Sequence, residues 1–263
     1  MCRWSAYLGD PIFMSDVITS PCHSLIEQAS AASQSKTSIN ADGFGVAWYD
    51  QRPEPGLFRD VFPAWSDANL ASLTDQVRAP LFMAHVRAST ETATSRNNCH
   101  PFASGNWSFM HNGQIGDFGQ FRKSADMCIS DALYPDRKGA TDSEALFLVG
   151  LSMGLADDPL RGLERATAAL TEAGQAHGFD PLVRMTVAMT DGKRLFAVRY
   201  ASDNQAPSLY YRWDDRTNGW SVVSEPYDQD AEWHEVPQGS FVTFEGRTRT
   251  ILPFAPQTAA LAA

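Results

Sequence analysis

Long apolar runs are missing from this 263-residue chain; the longest stretches, such as Ala145 to Val149 and Leu182 to Met189, fall well short of the ~20 residues a membrane-spanning helix needs. No basic segment followed by an apolar one opens the sequence, so a soluble protein that is not secreted is expected. Cysteine is scarce. The four, Cys2, Cys22, Cys99 and Cys128, are scattered, with no Cys-x-x-Cys pair and no regular spacing. That weighs against a zinc knuckle or a disulfide framework and points to a reducing cytoplasm. Positive charge is also in short supply, 21 Lys and Arg against 31 Asp and Glu for a formal net charge of -10. The long-range field therefore repels phosphate backbones and anionic bilayers, and neither nucleic acid nor a membrane is expected as a partner. Repeats, low-complexity tracts and long linkers are absent too. With 43% hydrophobic residues the chain can bury a sizeable core, and a single domain over residues 1–263 is the simplest expectation.

What is present alternates between strand and helix signals. Val17, Ile18, Leu25, Ile26 and Ala29 recur at helical spacing, as do Leu146, Phe147, Val149, Gly150 and Met153, and Leu163, Ala166, Leu170 and Ala173. They predict three helices, with a shorter one near Ala68 to Val77. Strands are predicted at Gly45 to Tyr49, Leu81 to Arg87, Trp107 to His111, Val183 to Thr190, Leu195 to Tyr200, Leu209 to Trp213, Trp220 to Val223 and Phe241 to Phe244. Asp191-Gly192 and Asn218-Gly219 are hairpin signals between neighbouring strands. Many antiparallel strands with a few helices imply a layered α+β fold.

Five features carry possible chemistry. Removal of Met1 would leave Cys2 with a thiol and a free α-amine, a nucleophile with its own base, because that amine titrates at about 7.7 to 8.0. Arg87 ends a strand and is followed by Ser89 and Thr90; its fork could grip a carboxylate with Thr90 adding a hydroxyl, or it could simply cap the strand. Its neighbour His85 reads as a packed core histidine. Asn112-Gly113 follows a strand and fits either a hairpin turn or an oxyanion hole built from the Asn112 amide and the Gly113 N–H. Thr141-Asp142-Ser143-Glu144 is a helix-capping sequence in which Asp142 could also hold an ammonium group. Cys99 and His100 are adjacent, and neighbours on a strand face opposite ways, so neither a catalytic dyad nor a metal site is expected from them.

Taken in order, Cys2-Arg3, Asp42-Gly43-Phe44-Gly45-Val46, His85-Val86-Arg87-Ala88-Ser89-Thr90, Asn98-Cys99-His100-Pro101, His111-Asn112-Gly113 and Thr141-Asp142-Ser143-Glu144 resemble the class II glutamine amidotransferases, which are N-terminal-nucleophile hydrolases. Val223-Ser224-Glu225-Pro226-Tyr227 looks like the late strand motif of that family. The resemblance implies a four-layer αββα sandwich, removal of Met1, and no metal or organic cofactor. It further implies that Cys2 attacks a γ-glutamyl carbonyl, that Asn112 and Gly113 hold the oxyanion, that Arg87 and Thr90 bind the α-carboxylate, and that Asp142 binds the α-ammonium. The substrate class would be a small γ-glutamyl amide, either glutamine or a γ-glutamyl thiol compound such as glutathione, cleaved through a glutamyl thioester.

The chain departs from fused members of the family, which often read Arg-Trp-Ala-Thr-His where Arg87-Ala88-Ser89-Thr90-Glu91 stands, and it ends where their acceptor domains would begin. Free-standing members are more similar, namely the glutaminase-like subunit of the glutathione-degradation complex and the γ-glutamyl hydrolase of ergothioneine synthesis. Two alternatives stay open at this stage: a glutaminase-like subunit that needs a protein partner, and a pseudoenzyme that binds γ-glutamyl ligands without turnover.

Overall fold

The opening residues Arg3–Phe13 form a strand, β1, that lies in the middle of a sheet rather than at its rim. The computed structural model describes residues 2–31, 39–89, 93–228 and 231–257. After β1 come the short helices α1 (Ser15–Ile18) and α2 (Leu25–Ala31), strands β2 (Phe44–Tyr49) and β3 (Gly56–Asp60), helix α3 (Ala68–Gln76) and strand β4 (Arg78–Val86). Strands β5 (Phe102–Ser104) and β6 (Trp107–Ile115) lead into helices α4 (Phe118–Asp126), α5 (Asp142–Ser152) and α6 (Pro159–Gln175). The rest is β-structure: β7 (Val183–Thr190), β8 (Leu195–Ala201), β9 (Tyr210–Asp214), β10 (Gly219–Val223), β11 (His234–Glu235), β12 (Ser240–Glu245) and β13 (Thr248–Pro253).

Among the described residues these strands make two antiparallel sheets, ordered β11-β9-β10-β1-β4-β2-β3 and β13-β12-β8-β7-β6-β5. Period-two alternation gives each sheet two apolar faces, so each is covered on both sides. Val17, Leu25, Ala29 and Leu70 of α1, α2 and α3 pack on Phe44, Phe82, Ala84 and Val86 of the first sheet. Trp4, Ala6 and Met83 meet Met110, Ala188, Ala197 and Val242 between the sheets. On the far side Phe109, Met185, Val187 and Phe196 pack against Phe121, Leu146, Phe147 and Leu163 of α4, α5 and α6. The result is the four-layer αββα sandwich.

The helices start where their caps are. Asp67 accepts from the Leu70 N–H at 2.7 Å, Thr141 from Glu144 at 3.1 Å and Asp158 from Arg161 at 3.1 Å, opening α3, α5 and α6. Glu144 does not return to its cap as a full capping box would; its carboxylate takes the Arg137 Nη1 and the Gly139 N–H, each at 2.7 Å. The helix predicted across Val17 to Ala29 is two helices, because Pro21 has no N–H to continue the ladder and α1 ends before it. Helix α4 has no counterpart among the predicted helices. Both hairpin signals hold: β7 pairs with β8 across Gly192, and β9 with β10 across Asn218 and Gly219. Among the described residues no helix is long and apolar enough to cross a membrane.

Candidate active site

Alternation along β1 and β6 decides what the two sheets show each other. Trp4 and Met110 sit in the core between the sheets, so Cys2 and Asn112, each two residues away in extended chain, are directed to that same side. Cys2 is half-buried. Its Sγ accepts the Ala88 N–H at 3.4 Å and donates to the Ala88 carbonyl oxygen at 3.6 Å. Burial pushes this thiol above its ordinary value, while the Ala88 contact and the positive charges of the N-terminus and Arg87 pull it down.

Arg87, just past the end of β4, is therefore brought beside Cys2. It is buried, with Nη1 donating to the Asp42 carbonyl oxygen at 3.2 Å and Nη2 to Ser89 Oγ at 3.0 Å. The Asp42-Gly43 turn holds the arginine backbone from both sides: Asp42 N–H donates to the Arg87 oxygen at 3.0 Å, and Arg87 N–H to the Gly43 oxygen at 2.8 Å. Asp42 Oδ2 also takes the Ser89 N–H at 2.7 Å. Thr90, expected alongside Arg87, lies outside the described residues.

Asn112-Gly113 is not a hairpin turn. Both residues lie within β6, opposite Thr186 and Met185 of β7. Gly113 has a φ of 153°, and a Cβ there would overlap the Arg184 carbonyl oxygen, so the backbone path is open to glycine alone. Asn112 is 1% exposed, yet among the described residues neither Oδ1 nor Nδ2 of its side chain has a hydrogen-bond partner. A buried amide left so costs ~1–3 kcal/mol, and a polar group kept at that cost points to a ligand.

Asp142 opens α5, and its Oδ2 accepts the Ile115 N–H at 2.8 Å while Oδ1 accepts the Ser143 N–H at 2.8 Å. The first contact ties the helix N-terminus to the end of β6. Gly113, Ile115 and Asp142 line one cavity of about 620 Å³ with Gln114 and Arg122. The next residue, Ser143, places its Oγ 2.8 Å from His111 Nδ1. The fold thus gathers Cys2 with Arg87 on one side, and Asn112, Gly113 and Asp142 on the other.

Three buried imidazoles lie among these elements. His85 and His100 stack with ring centroids 4.2 Å apart; His85 approaches the His111 backbone, and among the described residues neither ring nitrogen of His100 has a hydrogen-bond partner. Burial drives His85 down to about 3, with Arg87 adding to the effect, and carries His100 well below its ordinary value. His111 is lowered by burial against the pull of Asp142. All three are neutral near pH 7, and His85 is a packed core histidine, as its strand position suggested. Cys99 and His100 form no dyad: the Cys99 thiol is buried, pushed up to about 11, and contacts the Asp60 and Ser95 carbonyl oxygens at 3.4 Å. Among the described residues no three His, Cys, Asp or Glu side chains stand together to hold a metal ion.

Sequence reading missed the parts that join the halves. Trp4 and Thr186 belong to no local motif, and His111, Ser143 and Asp42 sit in motifs that assign them no role; only the three-dimensional contacts reveal what they touch.

The family model for class-II glutamine amidotransferases matches residues 12–212. The chain is similar to the probable glutamine amidotransferase DUG3 of Saccharomyces cerevisiae, 31% identical over 96% of this chain and 84% of that protein. It is also similar to the gamma-glutamyl-hercynylcysteine sulfoxide hydrolase of Mycolicibacterium smegmatis, 28% identical over 92% of this chain and 95% of that protein. Among solved structures, a glutamine aminotransferase class-II domain protein from Silicibacter pomeroyi superposes with a TM-score of 0.78 at 46% identity, covering 97% of this chain and 100% of that one.

Proposed function

The chain belongs to the class-II glutamine amidotransferases, a family of enzymes, and from that premise we propose that it hydrolyses γ-glutamyl amides with Cys2 as nucleophile, releasing glutamate. The observation that carries the proposal is the Asn112 side chain, buried and without a partner among the described residues, beside a glycine whose backbone admits no other residue. Such a pair is what a developing oxyanion needs and what a folded core otherwise avoids.

The reaction begins with loss of Met1, which frees the α-amine of Cys2. That amine takes the thiol proton, and the thiolate adds to the γ-carbonyl carbon. The carbonyl electron pair moves to oxygen, held by Asn112 Nδ2 and the Gly113 N–H. On collapse the C–N bond breaks, the leaving amine takes the proton from the α-ammonium, and a glutamyl thioester remains on Cys2. Water, deprotonated by the same amine, then adds to the thioester and expels the thiolate. Arg87 with Thr90 holds the α-carboxylate of the glutamyl group, and Asp142 its α-ammonium. A carboxylate has about four acceptor sites, so Asp142 can keep Ile115 and Ser143 and still take a substrate N–H. Binding the far end of the substrate in this way orients the amide for attack.

The substrate class is glutamine or a γ-glutamyl thiol compound such as glutathione, and similarity to a gamma-glutamyl-hercynylcysteine sulfoxide hydrolase supports the latter arm. A reducing cytoplasm is the proposed setting, in keeping with four unpaired cysteines. The test is glutamate release from glutamine and from glutathione, with the intact mass of the protein measured in parallel. Loss of Met1, turnover of one substrate, and no turnover in Cys2→Ala are expected. Undiminished turnover in Cys2→Ala refutes the proposal.

A further inference from the structure

The nucleophile and the oxyanion donors sit on different sheets, so something must set their separation. A chain of hydrogen bonds from the first sheet reaches the oxyanion donors. The Trp4 indole Nε1 donates to Thr186 Oγ1 at 3.3 Å, and Thr186 Oγ1 donates to the Asn112 carbonyl oxygen at 3.4 Å. Trp4 and Thr186 are fully buried. The direction of both bonds is fixed by chemistry: an indole N–H can only donate and a carbonyl can only accept, so the single threonine proton goes to Asn112. At the Trp4 end the backbone is anchored in turn, its N–H donating to Ser224 Oγ at 2.9 Å and its carbonyl accepting from the Ser224 N–H at 3.0 Å.

The acceptor matters. The Asn112 carbonyl and the Gly113 N–H belong to the same peptide unit, which is planar. A hydroxyl that grips the oxygen end of that plane sets the direction of its N–H end. It also polarises the unit, making the N–H a stronger donor. Trp4, on the same face of β1 as Cys2, ties this plane to the strand that carries the nucleophile.

We propose that Thr186 is a positioning residue, aiming the Gly113 N–H at the oxyanion through its bond to the Asn112 carbonyl and holding that plane in register with Cys2 through Trp4. The inference rests on the function proposed above. Thr186→Val keeps the shape and removes both bonds. Its expected signature is a kcat for γ-glutamyl amide hydrolysis reduced about ten- to a hundredfold, the range set by small displacements of reacting groups, with KM within about twofold because the glutamyl-binding residues are untouched. Thr186→Ser restores the hydroxyl and is expected to recover most of kcat. Alkylation of Cys2 by iodoacetamide, followed by peptide mapping, needs no oxyanion donor and is expected to proceed at the wild-type rate in both variants.

Wild-type kcat in Thr186→Val, alongside inactive Cys2→Ala and impaired Asn112→Ala, overturns this inference alone. Full activity in Cys2→Ala overturns it together with the reading of the site. Equal slowing of alkylation and turnover in Thr186→Val also overturns it, since that marks general damage to the fold. Should Thr186→Val not fold, Trp4→Phe reads the same tie from the other end: a fall of about threefold or more in kcat at constant KM supports it, and an unchanged kcat overturns it.

Discussion

Acid should unfold this protein early, through two histidines that have no room for a charge. His85 and His100 are stacked on each other and buried, and the contact of His85 with the His111 backbone does not offset its burial. His85 is held down to about 3 and His100 well below its ordinary value, in both cases chiefly by burial and further by neighbouring positive charge from Arg87, with Arg59 acting on His100 as well. In the unfolded chain both titrate near 6.5. Below that pH the unfolded state binds protons that the folded state refuses, so stability is complete above about pH 6.5 and falls with pH toward the folded-state values. His85, held near 3, contributes a loss of about 2 kcal/mol by pH 5 relative to neutral pH, and His100 adds a loss of the same sign. That is a large share of the roughly 5–15 kcal/mol by which a folded protein is stable. The carboxylates held low by arginine partners, such as Asp60 and Asp214, keep their contribution until the pH drops below their unfolded values near 4, so the window from 6.5 to 5 belongs to the histidines. Urea unfolding at intervals between pH 7.5 and 5 measures the slope. His85→Phe and His100→Phe keep an aromatic ring in the stack and should each remove about one proton from the linkage. A stability that is flat over this range, or a His85→Phe variant with the wild-type slope, refutes the reasoning.

Other substitutions have distinct signatures. Gly113→Ala should abolish turnover and lower the melting temperature, since its Cβ would overlap the Arg184 carbonyl; activity and thermal scans read both. Asp142→Asn should raise KM for γ-glutamyl amides about ten- to a hundredfold, the loss of one charge-assisted contact of ~1.5–3 kcal/mol, and steady-state kinetics that show only a kcat effect contradict its role at the α-ammonium. Asn112→Ala should lower kcat about a hundredfold or more with little change in KM. Leu146→Ala, fully buried against α4, α6 and the second sheet, should cost about 2–5 kcal/mol in chemical unfolding without altering KM.

Much of the architecture was legible because alternation is local. Strand β7 reads off Val183, Met185, Val187 and Met189 on one face and Thr186, Ala188 and Thr190 on the other. Strand β1 was not legible: Gly9, Asp10 and Pro11 interrupt it, and it bends through a register shift between Leu8 and Ile12. Pro21 marked the break between α1 and α2 but was outweighed by the helical spacing on either side. At the candidate site, the proposed residues Cys2, Arg87, Asn112, Gly113 and Asp142 stand in short runs that resemble the family's motifs. Trp4 and Thr186 do not. Their bond spans 182 positions in sequence, and nothing local distinguishes a threonine in a strand from one that bridges two sheets.

The central place of β1 also bears on when the chain is processed. Strand β1 is made before its two neighbours, β4 at Arg78–Val86 and β10 at Gly219–Val223, the second lying far along the chain. Until both have paired with it the strand has an open edge, and residue 1 is within reach of a peptidase. Trimming, if it is to create the α-amine the proposed chemistry uses, has its opening while β1 still lacks these partners, so sheet order would set a time for that step.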